Sequence, residues 1–159
     1  MRLNRQGDVL FRAISELPAG KRAKRANATV AYGEVTGHAH AVMSPDTADV
    51  IEIDNNLFVH ANERGISIEG DIARILPEVQ RIVDDPSEQP LRRDSARCLL
   101  GTLSAAGAII LHGTQEERTV RPVPAAGEDR HLPTALAPGN HAVTIQREYS
   151  PGEIRNVID

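Results

Sequence analysis

The amino-acid sequence predicts a mainly β domain, a small barrel or sandwich that carries a helical insertion at about residues 70–105, and so an α+β chain. Two observations predict this. Extended, Val- and Ile-rich segments occupy the chain up to about Glu69 and again from Ala108 onward, and helical spacing of apolar residues appears between them. A third sets the character of the core: Phe11, Tyr32, Phe58 and Tyr149 are the whole aromatic inventory. Val, Ile, Leu and Ala must therefore fill the interior. At 159 residues the chain reads as one domain, 1–159, long enough to bury a core without covalent staples.

In order, Asp8 to Ile14 is the first strand, closed by the turn residues Leu17-Pro18-Ala19-Gly20. Thr29 to Met43 is a second extended run. Asp49 to Ile53 and Leu57 to His60 flank Asp54, Asn55 and Asn56, which predicts a hairpin. Gly65 to Glu69 reads as a further short strand. Asp71 is placed to cap a helix on which Ile72, Ile75, Leu76, Val79, Ile82 and Val83 share a face, and Pro77 should kink or split it. A second helix is expected over Leu91 to Leu103, with Leu91, Cys98, Leu99 and Leu103 inward. Ala108 to His112 and Glu117 to Val123 read as short strands, a loop runs to Pro138, and His141 to Tyr149 is the last long strand.

Charge and cysteine usage bound the function. A net charge of −4 does not favour a nucleic-acid binder, whose affinity comes from a basic surface. Basic residues do crowd the first stretch, and the run Lys21-Arg22-Ala23-Lys24-Arg25 is read as a solvated loop. Cys98 is the sole cysteine, so neither an intrachain disulfide nor a thiolate cluster is available. The expected location is cytoplasmic, with no signal peptide and no membrane span. Phosphate-cradling, nucleophile-elbow and dinucleotide motifs do not occur.

The strongest local feature is Gly33 to Val42, GEVTGHAHAV. Residues two apart on a strand point to one side, so His38 and His40 present both imidazoles to one face, with Cα atoms roughly 7 Å apart. That is half of a metal site. A second segment, Ala126 to Tyr149, offers the rest: Glu128 and His131 lie three apart, and His141 follows the turn at Pro138-Gly139. His131 is the expected third ligand, and Glu128 or His141 the fourth. His141 shares its strand face with Val143 and Ile145, which equally fits a hydrogen-bonded core histidine. His60 and His112 sit at strand ends beside polar residues and are read as surface or loop histidines. Tyr149 is a weak candidate for a catalytic hydrogen bond.

These two segments resemble the metal site of the cupin superfamily, double-stranded β-helix (jelly-roll) barrels in which an H-x-H follows a Gly and a third His follows a Pro/Gly turn. Gly33, His38, His40, Pro138, Gly139 and His141 carry the resemblance. The cupin Glu expected soon after H-x-H is missing, with Asp46 the nearest carboxylate. The segments QGDVLF, GEVTGHAH and QREYSP also look like an uncharacterised family of small bacterial proteins, which implies no activity. An all-N/O donor set suits Zn, Fe, Mn or Ni. The expected function is a metal-binding protein, in one form a small metal-dependent enzyme acting on a small-molecule substrate. The alternative is a non-enzymatic interaction or scaffold protein that uses the helical insert or the basic N-terminal stretch, with a homodimer expected through edge strands.

Overall fold

The computed structural model describes residues 3–33, 37–150 and 153–156, with backbone alone for 147–150 and 153–156. The chain opens with a hairpin of β1 (Leu3–Gln6) and β2 (Val9–Ile14). Gly7, at φ 59°, supplies the positive φ that a primed two-residue hairpin turn requires at its first central residue. β3 (Arg22–Lys24), β4 (Thr29–Tyr32), β5 (Ala39–Val42), β6 (Ala48–Ile53) and β7 (Asn56–Ala61) follow. The expected β6–β7 hairpin is present. Asp54 and Asn55 hold φ of 47° and 63°, the pair of left-handed residues that a type I′ turn demands. The long extended run proposed for 29–43 is two paired strands, β4 and β5, with a register shift between Thr29 and Ala31.

Helices α1 (Ile66–Asp84) and α2 (Pro90–Leu103) then form the expected insertion. The short strand expected over Gly65 to Glu69 is instead the first turn of α1, and Asp71 lies buried within the helix rather than capping it. Pro77 neither splits α1 nor ends it. Ile72, Ile75, Val79 and Ile82 lie on both sides of it in one core cluster, and their burial holds the two halves together at roughly 1.5–3 kcal/mol per large side chain. In α2 the inward residues are Ala96, Leu99 and Leu103; Leu91 and Cys98 are exposed.

The remaining elements are β8 (Ala108–Gly113), α3 (Gln115–Val120), β9 (Thr134–Leu136), β10 (Gly139–Ile145), β11 (Arg147–Ser150) and β12 (Glu153–Asn156). The strand read over Glu117 to Val123 is largely α3. Thr114 and Glu117 form a capping box, each side chain bonding the other's backbone N–H, so local capping overrides the extended pattern.

The strands make a six-stranded antiparallel sheet in the order β1-β2-β10-β7-β6-β3, a four-stranded antiparallel sheet β4-β5-β8-β9, and the β11–β12 hairpin. These sheets do not close into the barrel that the cupin resemblance implied. One core cluster joins α1 and α2 to Ile109, Leu111 and Ala135 of the four-stranded sheet. The other joins Val30, Val42, Ile110 and Leu136 of that sheet to Val9, Phe11, Val50 and Val59 of the six-stranded one. The layers are therefore helices, four-stranded sheet, six-stranded sheet. Alternation along β8 sends Ile109 and Leu111 toward the helices and Ile110 and His112 toward the opposing sheet. The basic run 21–25 includes the edge strand β3, and Lys24 and Arg25 pair with Asp49 and Glu52 of β6. Among the described residues no helix is long and apolar enough to cross a membrane.

Candidate functional site

Four histidines meet at one end of the layer between the sheets. His40 and His112 stand directly opposite each other in the β5–β8 register, both 1% exposed. Their ring centroids lie 4.5 Å apart. His131, from the segment before β9, lies 4.6 Å from His112 and 6.2 Å from His40 by the same measure. His38, just before β5, meets His112 edge-on at 5.0 Å. His38 and His40 thus both face His112, as their two-residue spacing predicts.

Two short polar networks fix the rings. Gln6, from the opposing sheet, donates through Nε2 to the carbonyls of Ile110 (3.0 Å) and Leu132 (2.8 Å). That leaves Oε1 to accept from His40 Nδ1–H at 2.9 Å. The ring's other nitrogen, Nε2, faces Asp8 Oδ1 at 3.5 Å. Asp8 comes from the β1–β2 turn and is itself buried. On the other side, His38 Nε2 lies 3.5 Å from Glu117 Oε2. The Thr114 N–H, with help from Arg130 and His38, holds the Glu117 carboxyl below the usual range against the opposing effect of burial. His112 Nδ1 accepts the His131 backbone N–H at 3.0 Å, so the neutral His112 ring carries its proton on Nε2 and offers no lone pair there.

The other sequence-proposed residues lie apart from this cluster. Glu128 is committed to cations, pairing with Arg130 Nε at 2.9 Å and with Arg121. Arg130 in turn braces the site by donating to the carbonyls of His112 and Arg121. His141 sits in β10 of the six-stranded sheet, hydrogen-bonded through Nε2 to the Ala137 carbonyl at 2.8 Å, and burial pushes its pKa down. The Tyr149 side chain lies outside the described residues. His60, read as a surface histidine, is partly buried and bonded to Asn140 at 2.7 Å. His112, also read as a surface residue, is the hub of the cluster. Its signal was present in the sequence, since alternation from the buried Ile110 carries it inward.

Among the described residues no set of three His, Cys, Asp or Glu side chains is already arranged around one point to hold a metal ion. What the site offers is two nitrogen–carboxylate pairs, His40 with Asp8 and His38 with Glu117. Gln6 and His131 also line a cavity of about 1110 Å³ that runs between β1, α2 and the 127–135 segment, so the cluster borders a large cleft.

Residues 5–69 match a family model described as a domain of unknown function, DUF8820. No curated protein and no solved structure matches the chain. The matched segment contributes Gln6, Asp8, His38 and His40, whereas His112, Glu117 and His131 come from beyond it.

Proposed function

We propose that the histidine cluster is a divalent-metal site in which His40 Nε2 and Asp8 Oδ1 are the primary donors. The spacing of that pair carries the reading. Two donors on one ion, each about 2.0–2.2 Å from it at a tetrahedral angle, stand roughly 3.4 Å apart. The observed 3.5 Å is a spacing at which both atoms can bind one ion. Gln6 supports it further, because a ligating imidazole needs its other N–H held by an acceptor to fix tautomer and orientation.

The chemistry of the donor set fits Zn, Fe, Mn or Ni. Two protein donors leave coordination positions for water or for a small molecule entering from the adjoining cleft, the arrangement of a working site rather than a closed structural one. His38 with Glu117, at the same 3.5 Å, is a second donor pair across the His112 ring. His112 itself acts as a wall and N–H donor, since its Nδ1 is taken.

Elemental analysis of purified wild-type protein and of the His38→Ala/His40→Ala double variant tests the reading. The expected result is near-stoichiometric metal in the wild type and its loss in a variant that keeps the wild-type circular dichroism. Wild-type protein that is metal-free and stays so after incubation with each of the four ions would overturn it.

A further inference from the structure

β5 has a second face. His40 and Val42 look toward the opposing sheet, while Ala39 and Ala41 line a separate cavity of about 550 Å³. Its other walls come from β4 and the residues before it, from α1 and from α3. Among the described residues, its charged lining side chains are Arg74 and Arg118. In a chain with 22 acidic residues and a net charge of −4, this cavity gathers two guanidinium groups on its wall.

The arginines are held rather than dangling. Arg118 donates through Nη1 to the carbonyls of Ala39 and Gly113, and burial works against its charge, with Tyr32 and Glu117 countering. Arg74 donates to the Thr119 carbonyl at 2.9 Å and feels the Asp71 carboxyl one turn back on α1. The hydrogen bonds of both guanidinium groups go to carbonyl oxygens, and the carboxylates Glu117 and Asp71 act on them only through space, so each can still take an anion's oxygens. Asn27 donates to the Tyr32 hydroxyl oxygen at 3.2 Å, which leaves the Tyr32 O–H to donate elsewhere. Ala41, Met43 and Leu111 supply apolar wall.

We propose that this cavity binds a small organic anion, its carboxylate or phosphate head on Arg118 and Arg74 and a short apolar body against Ala41, Met43 and Leu111. The volume lies within the ~300–1,000 Å³ range of small-molecule sites. The site does not depend on the metal reading, because it lies on the face of β5 away from His40.

The test is calorimetric titration at low ionic strength with two probes, benzoate and inorganic phosphate. The wild type is compared with Arg118→Gln, Arg74→Gln and His40→Ala. Saturable binding of at least one probe is expected with Kd below about 1 mM, and the tighter probe identifies the head group. Each arginine variant should weaken it about tenfold, and His40→Ala should leave it unchanged. Arg118 also bonds two strand carbonyls, so if Arg118→Gln fails to fold, the exposed Arg74 decides the matter. No saturable binding of either probe up to about 10 mM, or binding that Arg74→Gln leaves at wild-type strength, would overturn the proposal.

Discussion

Gln6 ties the two sheets together and orients His40, so replacing it should cost both stability and metal affinity. Its side chain, 2% exposed, makes three hydrogen bonds: two from Nε2 to the Ile110 and Leu132 carbonyls, and one accepted by Oε1 from His40. Gln6→Ala deletes all three and leaves three polar groups facing a gap. At about 1–1.5 kcal/mol for each lost partner, the sum is about 3–4.5 kcal/mol, a large part of the ~5–15 kcal/mol that holds a domain of this kind folded. Gln6→Glu separates the two roles. A carboxylate still accepts from His40 Nδ1–H but offers no N–H to the two carbonyls. It should therefore destabilise the fold while retaining metal binding, whereas Gln6→Ala should also lower metal affinity by about 10–100-fold. Urea denaturation read at constant m-value gives the first quantity, and competition with a chelating dye gives the second. A loss below about 1 kcal/mol for Gln6→Ala, or equal metal affinity in the alanine variant and wild type, would refute the reasoning.

Two further perturbations test other parts of the structure. Burial pushes the Asp71 pKa up, with Ser44, hydrogen-bonded to it at 2.7 Å, and Arg74 opposing. A raised folded-state pKa favours the fold below the unfolded value, about 3.9, and this contribution is lost as pH rises through the folded value. Asp71→Asn keeps an acceptor for Ser44, so it should raise the melting temperature at pH 7 and lose that advantage by about pH 4; an equal shift at both would contradict the account. Pro77 is exposed inside an unbroken helix, so Pro77→Ala should stabilise by about 1–3 kcal/mol in urea denaturation, and a destabilised variant would show that the ring is packed against something.

Much of the fold was legible because local signals and tertiary structure agreed. The Asp54-Asn55 turn, the apolar stripe of α1 and the approach of His38 and His40 to a common neighbour all follow from spacing that the structure then uses. The disagreements have physical causes. Pro77 was read by local preference, but the buried isoleucines and valine on either side outweigh one missing backbone hydrogen bond. Glu117 to Val123 looked extended until the Thr114–Glu117 capping box, itself readable as T-x-x-E, is considered. Gln6 and Asp8 could not have been joined to His40 from sequence, since the contact depends on how the β1–β2 turn lies against the other sheet. His112 was misread because polar neighbours follow it, although the apolar run Ala108 to Leu111 already placed its face inward.

The central claim is that His40 and Asp8 share one divalent ion. The most direct measurement is calorimetric titration of Zn²⁺ into chelator-stripped protein, with the near-isosteric Asp8→Asn beside His40→Ala and the wild type. Binding of one ion per chain is expected, weakened about tenfold by Asp8→Asn and about a hundredfold or more by His40→Ala. Superimposable isotherms for the three folded proteins would contradict it.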